Sequence, residues 1–469
     1  MKEQTPGRAL EIAAAVRSGR DSAAALMRQS LAGIARRNSD LNCFSEVFAD
    51  QAMAAAQAID AKVAAGEDPG PLAGVPVAVK NLFDVAGHTT IAGSRILRDA
   101  PAAARDASIV ARLRAAGAVV VGALHMDEFA YGFTTENSHY GAVRNPHDGS
   151  RIAGGSSGGS GSAVGGGLVP IALGSDTNGS IRVPAALCGA WGLKPTFGRL
   201  SRSGCYPFVN TLDHVGPLAD SALDLALAYD IMQGPDPLDS SQERRAPEPV
   251  LPMLGEDVQA LTRGLRIAVA TGYFQNNAEE ESWQAVSQAA RLLGAVEEVN
   301  IVHAAQARAA AFIITAHEGG QLHWPQLKDR AAEFEPLSRD RLLAGAFIPP
   351  EWVERSHRFR QYFRQEMERI FEQVDVILAP ATPRSATPIG ASSMQVRGQE
   401  MIPRAHMGML TQPLSFVGLP VVAAPCVRAG ALPVGVQIIA PQWREEWCLR
   451  VARALEMLSE NFRCKPPSA

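Results

Sequence analysis

The feature of this 469-residue chain that most constrains its fold is a repeated exchange between short apolar runs and longer helical patterns. The apolar runs predict buried strands, and the segments between them place apolar residues at three- and four-residue spacing, which predicts helices. The runs lie at residues 75–79, 118–124, 168–173, 265–270, 374–378 and 434–439. Because helices between strands cover the faces of a sheet, this order predicts an α/β fold with a mixed, mostly buried β-sheet.

The first part of the chain has a different pattern from the rest. Residues 1–68 are Ala-rich and predict a helical segment packed on the core, whereas residues 69–469 predict a single fold. Asp21 or Ser22 can cap the first strong helix, because their side-chain oxygens accept hydrogen bonds from the free N–H groups of a first helical turn. A second helix is predicted over about 50–65.

Two later segments depart from the strand and helix alternation. Residues 233–256 are rich in Pro and acidic residues, which predicts a surface excursion within one fold or a linker. Residues 282–370 are helical in pattern and more charged, so we expect them to cover one side of the sheet.

Charge and cysteine content exclude several classes of protein. Lys plus Arg total 44 and Asp plus Glu total 48, and without a basic stripe this balance argues against a nucleic-acid partner or an anionic membrane surface. The six cysteines are scattered without a C-x-x-C pair, which predicts reduced thiols and no metal site. The charged start does not fit a signal peptide, and Gly, Ser or Pro interrupts the uncharged stretches 152–175 and 408–427. We therefore predict a cytoplasmic protein.

Residues 154–167 contain eight glycines in fourteen positions. A flexible linker does not fit, because apolar runs continue on both sides and a second Gly-Ser turn follows. A phosphate-binding loop does not fit either, because the required glycine spacing and a Gly-Lys-Ser/Thr ending are missing. A nucleophilic serine remains, in two forms. The first is the nucleophile elbow of α/β-hydrolases, centred on Ser156, which needs an acid and a histidine downstream. Available pairs are Asp213 with His214 and Asp375 with His406.

The second form uses both Gly-Ser turns and no histidine. It rests on a series of colinear motifs: GVPVAVK (74–80), GGSSGGS (154–160), GSDTNGSIR (174–182), CGAWGLKPTFGRLS (188–201), LDHVGP (212–217), VILAPATP (376–383), GLPVVAAPC (418–426) and LPVGVQII (432–439). These motifs closely resemble the signature of the amidase signature family, over most of the chain. The resemblance implies the fold of that family, a central mixed, twisted β-sheet covered by helices on both sides, with 69–469 as the catalytic domain.

The resemblance also implies a catalytic set without a cofactor or a metal. Ser180 matches the nucleophile, Ser156 the bridging serine that follows a cis peptide bond, and Lys80 the base; the two serines are 24 residues apart. A serine hydroxyl needs a base to take its proton. A lysine acts as that base near neutral pH only if its pKa falls by about 3 units, which burial can cause. Lys80 ends an apolar run and fits this requirement, although lysines at strand ends usually reach solvent and turn serines usually bond their own backbone.

Further roles follow from the same resemblance. The backbone amides of an oxyanion hole map onto Thr177, Asn178, Gly179 and Ser180. Supporting roles map onto Ser157, Asp176 and Arg182, the last two as an ion pair beside the loop; the alternative for that pair is a weak surface contact. Most family members carry Gly-Gly-Ser where this chain has Asn178-Gly179-Ser180. Because Asn tolerates positive φ, we expect the loop geometry to survive.

Some segments look like one branch of the family, which hydrolyses 1-carboxybiuret in cyanuric acid breakdown and is related to the glutaminase component of glutamyl-tRNA amidotransferase. They are 128–141, 175–185, 224–237, 411–420 and 441–456. The likeness implies a small carboxylated, urea-like amide as the substrate, homodimerisation and a small helical partner subunit. Within such segments, substrate contacts are predicted for Tyr131, Thr135, His317 and Gln412.

The predicted function is hydrolysis of a linear amide with release of ammonia through an acyl-enzyme. Four alternatives remain open at this point. They are the glutaminase component of a tRNA-dependent amidotransferase, an α/β-hydrolase esterase that uses Ser156 as nucleophile, an amidase for another small carboxamide, and a binding module without catalysis. The missing basic stripe and Asn178 argue against the first of these.

Overall fold

An 11-stranded sheet organises the protein, whose computed structural model describes residues 7–467. Residues 1–6, the first part of the predicted N-terminal segment and of its charged start, lie outside the described residues. The strands are β1 (Phe44–Val47), β2 (Pro76–Lys80), β3 (Val119–Leu124), β4 (Glu136–Asn137), β5 (Gly141–Ala142), β6 (Arg144–Asn145), β7 (Asp148–Ile152), β8 (Ile171–Ser175), β9 (Trp191–Lys194), β10 (Val215–Ala219), β11 (Ile267–Thr271), β12 (Glu297–Asn300), β13 (Val376–Pro380), β14 (Met394–Val396), β15 (Gln399–Met401), β16 (Val421–Cys426) and β17 (Val434–Ile439).

The helices vary from one turn to 27 residues in length. They are α1 (Arg8–Arg17), α2 (Ala23–Leu41), α3 (Ala49–Ala64), α4 (Ser108–Ala115), α5 (Gly158–Gly165), α6 (Arg182–Cys188), α7 (Ala222–Met232), α8 (Val258–Thr262), α9 (Tyr273–Asn276), α10 (Glu280–Leu293), α11 (Ala304–Arg330), α12 (Pro336–Ala346), α13 (Pro350–Gln373), α14 (Pro403–His406), α15 (Gln412–Phe416) and α16 (Glu445–Leu458). Within residues 7–467, none of these helices combines the length and the apolar character that a bilayer crossing needs.

The large sheet is mixed, as predicted. Its strand order is β1-β3-β2-β8-β10-β9-β16-β17-β13-β11-β12. Four neighbouring pairs are parallel, namely β2 with β3, β2 with β8, β11 with β13 and β11 with β12, and the other pairs are antiparallel. The six remaining strands form three separate two-stranded sheets.

Helices cover both faces of this sheet, which confirms the predicted fold class. Along a strand, side chains alternate between the faces. In β2, Val77 and Val79 therefore pack into one apolar core with α4, α7, α10 and α16, while Ala78 packs into a second core with α2, α3, α5 and α6. Strands buried on both faces read as continuous apolar runs, which is why the sequence revealed them.

The strands that the sequence analysis missed carry weaker patterns. β1 lies in the segment predicted as helical, and β12 lies within the predicted helical region 282–370. Both are four-residue edge strands with exposed polar residues, so they lack the apolar run of a central strand. β9, β10 and β16 are buried, but glycine or proline interrupts each of them.

Helix α2 begins where the sequence predicted, after Ser22. The Ser22 hydroxyl accepts a hydrogen bond from the Ala25 N–H group. The Asp60 carboxylate, from α3, accepts two further N–H groups of the same turn, from Ala23 and Ala24. Residues 233–256 contain no strand, and the strands before and after them, β10 and β11, belong to the same sheet.

Candidate active site

The site begins where two neighbouring parallel strands end. β2 pairs with β8 in a register that places Val79 opposite Leu173, so the carboxyl ends of both strands meet at one edge of the sheet. Lys80 is the last residue of β2 and Ser175 the last of β8, and Lys80 Nζ lies 2.8 Å from Ser175 Oγ. The sequence analysis missed Ser175, because β8 continues past the predicted apolar run into Gly174 and Ser175.

Ser156 reaches the same lysine from the Gly/Ser-rich segment. Lys80 Nζ lies 2.7 Å from Ser156 Oγ, and the peptide bond between Gly155 and Ser156 is cis, as the family resemblance implies. Only glycine fits at position 155, because a Cβ atom there would lie 2.2 Å from a carboxylate oxygen of Asp127. The Ser156 carbonyl oxygen accepts hydrogen bonds from the Asp127 N–H group and the Thr135 hydroxyl.

The glycines after Ser156 allow α5 to pack closely inside the protein. All eight residues of this helix are buried. A Cβ atom on Gly159 would lie 2.6 Å from the His125 carbonyl oxygen, and one on Gly165 would lie 2.1 Å from the Cys188 carbonyl oxygen. The segment is therefore a packed helix that fixes the loop before it, and the glycines are required by their neighbours despite their low helix propensity.

Lys80 is fully buried, and its surroundings favour the neutral amine. Burial lowers the pKa of Lys80 to about 7, while the negative charges of Asp127, Asp176 and Asp213 act in the opposite direction. Two of these carboxylates are paired with arginines, Asp176 with Arg182 and Asp127 with Arg404. A large fraction of Lys80 is thus uncharged near pH 7, which is the state that can accept a proton.

Ser180 lies in the turn between β8 and α6, beside Ser156. The Ser157 N–H group donates a hydrogen bond of 3.2 Å to the Ser180 carbonyl oxygen, which joins the two serine loops. Within residues 7–467, the Ser156 hydroxyl is hydrogen-bonded to Lys80 and not to the Ser180 hydroxyl. Hydrogen bonds between catalytic groups are often long before substrate binds, so the third link of the predicted relay stays a prediction.

The backbone of this turn is open to a ligand. In the described part of the chain, the N–H groups of residues 177–180 donate no hydrogen bond to a protein acceptor. Gly179 has φ of 139°, and a Cβ atom there would lie 2.0 Å from Thr411 Oγ1. We expected Asn178 to fit this turn because Asn tolerates positive φ. That reason was wrong, because Asn178 is not among the described residues with positive φ, and Gly179 adopts the unusual backbone conformation instead. Consecutive free N–H groups can bind a developing oxyanion.

Asp176 and Arg182 form a buried ion pair, and not the weak surface contact that was considered as the alternative. Both side chains are fully buried, with two contacts of 2.9 and 3.0 Å between guanidinium and carboxylate. Burial by itself would raise the pKa of Asp176, but Arg182 holds it well below its usual range. Arg182 also donates to the Thr411 carbonyl and the Gln437 side chain, so the pair fixes the Ser180 turn to the sheet. Ser157 exchanges two hydrogen bonds with the backbone of Ser175.

A small, narrow pocket opens onto Ser180. Besides Ser180, its polar lining comes from Thr177, Asn178, Tyr131, Thr315, Arg341 and Gln412. Arg341 lies with its guanidinium carbon 3.7 Å from the centre of the Tyr131 ring, and it forms no salt bridge with a carboxylate of residues 7–467. Burial lowers the pKa of Arg341. Arg341 is therefore a cation without a carboxylate partner in the pocket, next to the turn that carries Ser180, and it can bind an anionic group of a substrate.

The four predicted substrate contacts divide into two pairs. Tyr131 and Gln412 line the pocket, and Gln412 Oε1 accepts a hydrogen bond from Arg308. Thr135 lies behind the Ser156 loop, where it contacts the Ser156 carbonyl and the Asp127 carboxylate. His317 is two residues beyond Thr315 on α11, about 200° around the helix, and does not line the pocket. Thr135 and His317 therefore do not line this pocket, and a substrate contact for either of them stays a prediction.

Arg341 was missed because nothing in its local sequence distinguishes it from a solvent-facing helical arginine. The α/β-hydrolase alternative is wrong. Ser156 Oγ contacts Lys80, and in the described chain no histidine is hydrogen-bonded to Ser156 or Ser180; His214 and His406 contact backbone carbonyls instead. Residues 7–467 hold no group of three or more His, Cys, Asp or Glu side chains that could bind a metal ion.

Comparison with known proteins agrees with this geometry. The chain is 53% identical to the AtzE component of 1-carboxybiuret hydrolase from Pseudomonas sp. (strain ADP), over 95% of this chain and 97% of the relative. It is 37% identical to the A component of glutamyl-tRNA(Gln) amidotransferase from Roseiflexus sp. (strain RS-1), over 92% of each protein. A solved structure of an s-triazine catabolic enzyme, described as a vestigial protein complex, matches with a TM-score of 0.95 and 52% identity, over 97% of this chain and 99% of that one.

The model of the amidase family matches residues 25–449, which include every residue of the site described above. With the relatives above, this match covers nearly the whole fold. The chain belongs to the amidase signature family and is a hydrolase that acts on amide bonds.

Proposed function

We propose that this protein hydrolyses a linear C–N bond of a small carboxylated, urea-like amide of the 1-carboxybiuret type and releases ammonia. The observation that carries the proposal is the buried amine of Lys80, held 2.7 Å from the hydroxyl of Ser156 after a cis peptide bond. This arrangement supplies a base without a histidine. The remaining groups of the site fit acyl transfer to Ser180.

In the proposed mechanism, the Ser180 hydroxyl attacks the amide carbon while Ser156 takes its proton and passes its own to neutral Lys80. The carbonyl oxygen becomes an oxyanion, which the N–H groups of residues 177–180 stabilise, each worth about 3 kcal/mol in comparable enzymes. When the C–N bond breaks, the proton returns through Ser156 to the leaving nitrogen, which departs as ammonia. Water then attacks the acyl-enzyme by the same route and regenerates Ser180. No cofactor takes part.

The pocket supports a small anionic substrate rich in N–H groups. Arg341 can form charge-assisted hydrogen bonds with a carboxylate, and Gln412 can position the amide chain. Asn178 Oδ1 is buried without a hydrogen-bond partner in the described chain, while Asn178 Nδ2 donates to Thr315. An unpaired acceptor of this kind suits a urea N–H group, because leaving it unpaired is costly. The 53% identical relative is a component of a 1-carboxybiuret hydrolase, which supports the same substrate class.

We further propose that the protein forms a homodimer and associates with a small helical partner subunit. Support comes from the similar structure that is described as a complex. A cytoplasmic location, without nucleic acid or membrane as a partner, fits the scattered cysteines and the near-neutral charge.

Ammonia release from 1-carboxybiuret, biuret and glutamine tests the proposal, the last with and without charged tRNA. We expect turnover of 1-carboxybiuret, and its loss in Ser180→Ala but not in the matched control Ser150→Ala, whose serine is exposed on β7. Glutaminase activity that depends on charged tRNA would instead favour the amidotransferase component, to which the chain is also related. If the protein hydrolyses only other carboxamides, the proposed substrate is wrong and the proposed mechanism still holds.

A further inference from the structure

One buried arginine outside the reacting groups connects two walls of the site. Arg404, on α14, is 7% exposed, and its guanidinium lies between two carboxylates from distant parts of the chain. One of its terminal nitrogens lies 2.9 Å from Asp127, and the other lies 3.0 Å from Glu335. The amidase signature motifs do not include this residue, and the mechanism above does not use it.

On one side, the contact reaches the loop that presents Ser156. The second carboxylate oxygen of Asp127 accepts the Thr135 N–H group at 3.0 Å. The same oxygen is so close to Gly155 that a Cβ atom there would overlap it. A shift of Asp127 therefore displaces the peptide bond before Ser156, because the two are in direct contact.

On the other side, the contact reaches the helix that carries Arg341. Glu335 immediately precedes α12, and its carboxylate also accepts a hydrogen bond from Ser338 in the first turn. Arg404 donates to the Ser338 hydroxyl as well. Arg341 lies less than two turns further along α12 and stacks on Tyr131, whose carbonyl oxygen accepts a hydrogen bond from Arg404.

We propose that Arg404 is a positioning residue that holds the Ser156 loop and the Arg341-bearing helix in a fixed relation across the pocket. This inference rests on the proposed function, in which Ser180 is acylated and Arg341 binds the substrate carboxylate. The planar fork of an arginine spans two carboxylates at once, whereas a lysine is a single point charge. The distance between nucleophile and anion site thus depends on the arginine itself, and its charge alone is insufficient.

Arg404→Lys tests this requirement, because it keeps the charge between Asp127 and Glu335 and removes the fork. Glu335→Ala removes the charged link from Arg404 to the start of α12, and it leaves the Arg404 pair with Asp127 and the hydrogen bond from Arg404 to Ser338 in place. Arg339→Met is the matched control: Arg339 is on the same helix but pairs with the exposed Asp340. Two readouts are needed, the rate at which phenylmethylsulfonyl fluoride labels Ser180, which requires no amide turnover, and kcat and KM for 1-carboxybiuret. Thermal unfolding of each variant reports whether it is folded.

For Arg404→Lys we expect about tenfold slower labelling and about tenfold higher KM, because a misplacement of about 1 Å in an active site can cost about a hundredfold and we expect a smaller shift here. For Glu335→Ala we expect higher KM with kcat and labelling within about twofold of wild type, a split that general loosening of the fold does not produce. Wild-type rates in folded Arg404→Lys, or equal loss of kcat and labelling in Glu335→Ala, would overturn the inference alone. A wild-type protein that neither reacts with the reagent nor turns over an amide refutes the proposed function, and this inference with it.

Discussion

Replacing Lys80 with methionine is expected to abolish activity and, at the same time, to change how the stability of the fold depends on pH. The native pKa of Lys80 is lowered by burial to about 7, from an unperturbed value of 10.5. Between these two values the folded protein binds fewer protons at this site than the unfolded chain. Unfolding then takes up a proton, so this lysine makes the free energy of unfolding rise as pH rises through that window.

The size of the effect follows from the two pKa values. At pH 6 the buried lysine costs about 5 kcal/mol of stability, and at pH 9 about 2 kcal/mol, by proton linkage. Methionine has a similar length and no charge to desolvate. The substitution also removes the hydrogen bonds to Ser156 and Ser175, which is a loss at both pH values. We therefore compare the free energy of unfolding of Lys80→Met with that of the wild type at each pH. Relative to the wild type, the variant should be about 3 kcal/mol more stable at pH 6 than it is at pH 9.

Urea unfolding followed by tryptophan fluorescence at pH 6 and pH 9 measures this difference for both proteins. Lys62→Met is a matched control, because Lys62 is exposed on α3 and no pH-dependent difference from wild type is expected. Equal stability differences at the two pH values would show that Lys80 is charged in the folded protein. That result would refute the reasoning on which its role as a base depends.

Three other expectations concern catalysis and the loop beside it. The kcat/KM of the wild type should rise as pH rises through about 7, because only the neutral Lys80 amine accepts a proton; a flat profile from pH 5.5 to 9 would contradict this. Arg341→Met should raise KM for 1-carboxybiuret about 10- to 100-fold, because it removes a charge-assisted contact with the substrate carboxylate. The rate of Ser180 labelling should stay unchanged. Steady-state kinetics measures the first effect, and the labelling assay measures the second. Gly179→Ala should be inactive, because its Cβ atom would overlap Thr411 at a φ of 139°, and ammonia release at wild-type rates would show that the turn can rearrange.

The three proposed catalytic residues were predicted through the resemblance to the amidase signature family, because the motifs that carry this resemblance are short, local stretches of sequence. Lys80 ends an apolar run, and Ser156 and Ser180 stand in Gly-rich turns that no ordinary strand or helix contains. The α/β architecture was predictable for a similar reason, since strands buried on both faces are continuous apolar runs.

The residues around the reaction could not be predicted, because their positions depend on packing between distant segments. Arg341 and Arg404 look like surface arginines in sequence. Only the approach of α14 to the loop after β3 buries Arg404, and only the approach of α12 to the same loop places Arg341 over the Tyr131 ring. His317 illustrates a related limit: the sequence predicts the helix but not the rotation that turns Thr315, and not His317, toward the pocket. The four-residue strand β12 shows the same limit for the fold, since its polar residues pair only because β11 lies beside them.

The division of the site between sheet and helices has a consequence for divergence within the family. Lys80, Ser156 and Ser180 all come from the sheet edge and the turns next to it, whereas Arg341 comes from a helix more than 150 residues later in the chain. Mutations in α11 and α12 can therefore change which amides are accepted while the acyl-transfer apparatus stays intact. A library that randomises the pocket-facing positions of these two helices is a direct way to redirect this scaffold toward new small amides.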